Sequence, residues 1–173
     1  MKLIEKYLNI LHYCLYIIHY KMHLLANRVN PFRLLYKIPA IKRKNEQQGI
    51  NLDVVVNRLF GDKRFGTSVI IAGGVLWGLF SFWFISLLIV LYAIINKSYL
   101  PVFYFWVCGG ISGLISYVFV FRHDKYLKYF KKYDKWTKKE RYSYCTITLL
   151  YLILTICIFF GALNFSGYII RNW

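Results

Sequence analysis

Three histidines fall close together near the start of the chain, His12, His19 and His23. His19 and His23 are one helical turn apart, the spacing at which two neutral imidazoles can share a metal ion. They belong to a longer stripe. Steps of 4, 3, 7, 4 and 4 residues through Glu5, Asn9, His12, His19, His23 and Asn27 all return to nearly the same helical azimuth. Glu5 lies too far along the helix from His19 to join a shared ion, and only His123 remains elsewhere. The stripe therefore reads as the polar face of an amphipathic helix, and no metal is expected.

Other chemistry-bearing residues are sparse. Cys14, Cys108, Cys145 and Cys157 contain no Cys-x-x-Cys, so they read as reduced, buried thiols and not as a zinc site or disulfide framework. There is no Gly-x-Ser-x-Gly, no Walker-type glycine loop and no His-Glu-x-x-His. The long apolar segments hold no Asp or Glu, whereas membrane enzymes and ion-coupled transporters place ionisable groups at depth. An enzyme is not expected, and neither is a cofactor.

The elements that carry these residues belong to an all-α membrane protein. Ser68 to Ile95 is a run of 28 residues without a charged side chain, Leu100 to Phe121 supplies 22 more, and Cys145 to Ile170 another 26. About 20 helical residues cross a hydrocarbon core, so three transmembrane helices are predicted near 68–95, 100–121 and 145–170. Pro101 suits the first turn of the second. Residues 1–67 form an amphipathic N-terminal region, separate from the bundle of 68–173. The uncharged stretch between Lys6 and Lys21 is 14 residues, which at 1.5 Å per residue gives about 21 Å, short of the roughly 30 Å core. An interfacial helix is therefore favoured there, with a fourth span as the alternative. Glu5 and Lys6 interrupt the apolar start and no cleavage site follows before Met22, so no cleaved signal peptide is expected.

Asn30-Pro31 reads as a helix start, Pro39 as the end of that short piece, Lys42 to Gln48 as a polar linker, and Asn51 to Phe60 as one more short helix before Gly61-Asp62.

The formal net charge is +16, and its placement matters more than its size. Residues 1–67 and the loop 122–144 hold 21 of the Lys and Arg residues, against 2 in the connection 96–99 and the tail. The positive-inside rule then places the N-terminal region and the 122–144 loop in the cytoplasm and the C-terminus outside. Tyr99, Tyr168 and Trp173 would be interfacial aromatics on that outer side.

The loop reads as a basic amphipathic helix with Tyr126, Tyr129, Phe130, Tyr133 and Trp136 on one face and Lys125, Lys128, Lys131, Lys132 and Lys135 around the rest. Thr137 to Glu140 has the form of a capping box, which puts a turn near Asp134 to Thr137 and makes a basic cytoplasmic helical hairpin of the second and third spans. Lys125, Lys128, Lys131, Lys132, Lys135, Tyr129, Phe130, Tyr133 and Trp136 are the expected contacts to anionic lipid headgroups or to a protein partner. Nucleic acid is a weak alternative, because a membrane-proximal helix already has counter-charge in the lipid.

Small residues mark expected helix contacts. Gly74 with Gly78 and Gly109 with Gly113 are Gly-x-x-x-Gly pairs, and Cys157 with Gly161 is a weaker one. The two glycine pairs are expected to meet within one subunit, or to serve a homo-oligomer or a larger membrane partner. The Lys, Ile, Tyr, Phe and Asn richness fits an AT-rich bacterial gene, hence a bacterial cytoplasmic membrane. Two functional classes follow. One is an accessory, scaffold or immunity-type membrane component. The other is an oligomeric pore lined by Ser81, Ser112, Ser116, Thr148, Thr155 and Asn164, without charged rings to select ions.

Overall fold

The structure, a computed structural model, describes residues 2–29, 38–49 and 51–172. The described residues form helices and short connections, with no strand among them. In chain order the helices are α1 (Lys2–Val29), α2 (Pro39–Gln47), α3 (Leu52–Gly61), α4 (Thr67–Asn96), α5 (Val102–Ser116), α6 (Lys125–Tyr133) and α7 (Lys138–Arg171). The expected helix start at Asn30-Pro31 and the aromatic Trp173 lie outside the described residues.

Local chemistry sets most of the boundaries. The Asn51 side chain accepts the Val54 N–H at 3.2 Å and caps α3. Lys97, in the left-handed region with φ 52°, ends α4. At the start of α7, Thr137 Oγ1 accepts the Glu140 N–H at 3.3 Å while Glu140 Oε2 accepts the Thr137 N–H at 2.8 Å, the expected capping box. Pro39 opens α2, because its missing N–H and fixed φ cost nothing at a first helical position; the short piece expected before it lies outside the described residues. The polar stretch that follows it is helical too, since Lys, Arg, Glu and Gln are good helix formers even without an apolar face.

Three helices are long and apolar enough to cross a membrane, at Thr67–Asn96, Val102–Tyr133 and Lys138–Arg171. α4 is the central one, with α5 and α7 both packed along it. Two indoles fasten the helices together. Trp77 Nε1 donates to the Gly109 carbonyl at 2.7 Å, and Trp83 Nε1 donates to Thr155 Oγ1 at 3.0 Å. A small apolar cluster of Ile85, Ile89, Cys108 and Ala162 closes one half of the bundle.

The other half is larger because α1 enters it. Tyr13, Cys14, Leu15 and Tyr16 are buried with Val69, Ala72, Leu76 and Leu79 of α4 and with Phe130 and Tyr133 of α6 in one cluster. The N-terminal region and the long helices thus share a core. Contacts of α1 gather at one end of the bundle, where Glu5 meets Lys125, His19 meets Ser68 and Lys21 lies over the Tyr142 ring at 4.7 Å.

The helix containing α5 does not continue straight into α6. Tyr117–Phe121 forms a π turn and Arg122–Asp124 a tight 3-10 turn. Within the latter, His123 and Asp124 both take left-handed backbone, φ 57° and 53°. This break turns α6 back across α1, so the expected protruding hairpin of the second and third spans is instead a lid packed on α1. A left-handed residue other than glycine costs roughly 1–2 kcal/mol, and glycine avoids that penalty. His123 is exposed, so His123→Gly should stabilise the detergent-solubilised protein by about 1 kcal/mol in denaturant unfolding. Destabilisation would mean that this turn is not held in the left-handed region.

Candidate functional site

The polar stripe of α1 points into the protein. Asn9 and His12 are 0% exposed, which corrects the expectation that the stripe is the wetted face of an interfacial helix. Glu5, Asn9, His12, His19 and His23 each meet a group brought by another element. Glu5 accepts from Lys125 Nζ at 2.9 Å and from the Tyr129 hydroxyl at 3.3 Å. Asn9 Nδ2 donates to the Phe119 carbonyl at 3.1 Å, a main-chain acceptor within the π turn, and to Glu5 O at 2.7 Å. His19 Nδ1 lies 3.0 Å from Ser68 Oγ. His23 stacks on Phe60 with ring centroids 3.5 Å apart. The His19 ring also lies parallel to Phe60, at 6.4 Å, and among the described residues no group of three or more His, Cys, Asp and Glu is placed to hold a metal ion.

His12 is the most enclosed of these groups. Its Nε2–H donates to the Val69 carbonyl at 3.5 Å. Phe121, Tyr126 and Phe130 surround the ring at centroid distances of 5.2, 5.6 and 5.3 Å. Nδ1 is buried with no protein partner, as is Asn9 Oδ1 one turn earlier. Desolvation lowers the His12 pKa from 6.5 to about 4, with the Val69 hydrogen bond acting weakly in the opposite direction.

A second row of contacts closes the lid. The Tyr13 hydroxyl donates to Asp134 Oδ1 at 3.1 Å, and Lys63 pairs with the other oxygen of the same carboxylate. Arg141 Nη2 donates to the Asp134 carbonyl at 3.1 Å. Tyr126 donates to Arg64 O at 3.2 Å and Tyr133 to Lys6 O at 3.3 Å. Asp134 is a hub that sequence reasoning placed only in a turn.

These contacts redistribute the expected interaction surface. Phe130 and Tyr133 are buried, Tyr129 is bonded to Glu5, and Trp136 is stacked between Tyr133 and Tyr144 at 4.4 and 4.5 Å. The aromatic face of α6 is therefore a packing surface for α1, with Phe130 and Tyr133 buried in it and Tyr129 and Trp136 left partly exposed. Lys125 is committed to Glu5. Lys128, Lys131, Lys132 and Lys135 remain exposed, joined by Lys138 and Lys139 at the start of α7.

The glycines are redistributed as well. Gly109 and Gly113 receive the Trp77 indole, which would lie 3.7 and 3.6 Å from a Cβ at those positions. A Cβ at Gly74, Gly78 or Gly161 would meet nothing within 4 Å, and Cys157 is exposed. The two glycine pairs do not meet within the subunit, because the bulky Trp77 fills the groove that Gly109 and Gly113 leave. The close approach occurs one residue earlier, at Gly73, where a Cβ would lie 2.7 Å from Phe121 Cζ. That ring is held edge-on against His12 and Tyr126. The signal was present in the spacing of Val69, Ala72, Gly73 and Leu76, but in an all-apolar helix the buried face leaves no polar contrast to reveal it.

Two measurements test this seam. Gly73→Ala should destabilise by about 1–3 kcal/mol, since the added methyl must displace a Phe121 ring that packs on His12 and Tyr126. Gly74→Ala should be neutral or stabilising by up to about 1 kcal/mol, from helix propensity alone. Equal effects in thermal unfolding would refute the packing at Gly73. The second measurement is pH dependence. The unfolded chain takes up the His12 proton near pH 6.5 and the folded chain only near 4, so stability is constant above that window and falls as pH drops through it. At about 1.36 kcal/mol per pH unit the loss reaches roughly 3 kcal/mol near pH 4. His12→Phe should remove that component, and equal acid sensitivity in both proteins would clear His12 as its source.

Comparison with protein-family models, with curated proteins and with solved structures finds no match to this chain.

Proposed function

We propose that the chain is a multi-pass component of a bacterial cytoplasmic membrane that acts as an accessory or scaffold protein and not as a catalyst. Shielding the membrane from a pore-forming toxin is a special case, because that task needs only spans that recognise the toxin's helices. The observation that carries the reading is the exposed lysine row of Lys128, Lys131, Lys132 and Lys135 at the same end as α1, with the intervening aromatics turned inward. A row of solvated cations beside the bilayer suits anionic headgroups, each Lys adding about 1 kcal/mol near the surface. The excess of positive charge favours a cytoplasmic location for that end and an external C-terminus.

The lateral faces support an assembling role. Ile70, Leu87, Trp106, Leu114, Leu150 and Phe160 are exposed on the long helices, and Gly74, Gly78 and Gly161 present open backbone beside them. Such surface suits lipid, a second copy or a larger membrane partner. The pore alternative has less support. Ser112, Ser116, Thr148 and Thr155 are buried at contacts within one chain. Ser81 and Asn164 bond to carbonyls of their own helices at 3.0 Å. No single row of these side chains faces outward to line a shared path.

The test is cysteine accessibility in intact cells, with Ser98→Cys, Lys131→Cys and Asn172→Cys each in a cysteine-free background. An impermeant reagent should label positions 98 and 172 and spare 131. Labelling of 131 alone would invert the topology. Reversing Lys128, Lys131 and Lys132 to Glu should also reduce anionic phospholipid retained in native mass spectra by more than about tenfold. Unchanged retention would leave a protein partner as the occupant of that surface.

A further inference from the structure

We propose that Cys14 and Cys145 form a reversible, peroxide-driven disulfide that fastens α1 to the first turns of α7. The two residues are far apart in sequence and lie on different helices, yet Cys14 is buried in the cluster that Cys145 packs against, where α1 meets α7. Packing on both sides fixes their meeting. Before it, Tyr13 lies edge-on to Trp136 at 5.7 Å, and Trp136 stacks on Tyr144 at 4.5 Å. After it, Lys21 lies over the Tyr142 ring at 4.7 Å. The thiol pair is therefore held inside the α1–α7 contact and does not depend on a chance encounter of mobile groups.

The two sulfurs have different surroundings. Cys14 is fully enclosed, whereas Cys145 is only partly buried and has the positive charges of Lys21 and Arg141 near it. A partly exposed thiol in an electropositive setting is the one that meets an oxidant first. With a hydroperoxide as oxidant, the Cys145 sulfur attacks the distal oxygen and the O–O bond breaks. Cys145 becomes a sulfenic acid, and water or the corresponding alcohol departs. The Cys14 sulfur then attacks the Cys145 sulfur and forms the S–S bond. The displaced hydroxide leaves as water with the Cys14 proton. Two thiols lose two electrons and the peroxide bond gains them, so the step balances. The remaining cysteines do not compete, because Cys108 belongs to the other apolar cluster and Cys157 faces outward.

A closed bond would lock the N-terminal helix under its lid, and a reducing thiol pool would release it. This inference rests on the fold alone and holds for either topology. The experiment is peptide mapping of full-length protein in detergent after hydrogen peroxide treatment, for the wild type and for the Cys108→Ala/Cys157→Ala variant. A cross-linked peptide pair containing Cys14 and Cys145 is expected in both. Dithiothreitol should reverse it, and the oxidised form should unfold at a higher temperature than the reduced one. In Cys14→Ser, a dimedone adduct should accumulate on Cys145. Unmodified thiols, an over-oxidised Cys145 without a link, or a link through Cys108 or Cys157 would overturn the proposal, and the wild-type map decides it even where a variant fails to fold.

Discussion

Everything at the basic end of this protein depends on burying a polar stripe. α1 carries Glu5, Asn9, His12 and His19 into a region otherwise built from Tyr, Phe, Leu and Val. A buried polar group without a partner costs on the order of 1–3 kcal/mol, so several at once would prevent α1 from docking. α4 supplies the Val69 carbonyl and the Ser68 hydroxyl to His12 and His19, and the partners of Glu5 and Asn9 depend on irregular backbone. The π turn at Tyr117–Phe121 offers the Phe119 carbonyl to Asn9, and the reversal at His123–Asp124 brings Lys125 and Tyr129 onto Glu5. A straight continuation of α5 would carry these groups away from α1. The break in the second long helix and the polarity of the first helix are thus two halves of one arrangement.

That arrangement also determines what faces outward. α6 is amphipathic, and its apolar side could in principle rest on lipid or on the protein. With α1 present it rests on protein, because Phe130 and Tyr133 find aromatic partners in His12, Tyr13 and Tyr16. The tyrosine hydroxyls would be poorly placed in hydrocarbon, yet here they reach carboxylates and main-chain carbonyls. Charge is left as the external property of this element.

What the sequence made legible follows from how strong each physical signal is. The three long apolar helices were readable because a run without charge has few alternatives, and the Thr137–Glu140 cap was readable because its chemistry is local. The azimuth of the α1 stripe was also correct. Its direction was not, since periodicity shows that Glu5, Asn9 and His12 share a face without saying whether that face meets water or the partners that Phe119 and Lys125 supply. The glycine seam failed for a related reason. Gly74 and Gly78 match a packing motif, but Trp77 decides which groove is filled, and a tertiary fit of that kind has no sequence period. The Asp134 hub gathers Tyr13, Lys63 and Arg141 from separate parts of the chain, a meeting that a chain pattern does not encode.

The distribution of packing bears on function. The end that holds α1 is dense in aromatic contacts and hydrogen bonds, whereas the opposite half of the bundle has the small cluster of Ile85, Ile89, Cys108 and Ala162. A long helix in lipid gains no hydrophobic driving force from touching another, so close packing or polar contacts must hold it. In the sparse half few such contacts are internal, and the open backbone at Gly161 and the exposed flanks of α5 and α7 face outward. A protein built this way has a densely bonded polar end and exposed apolar lateral surfaces. That combination suits the accessory component proposed above better than a ring of copies enclosing a path.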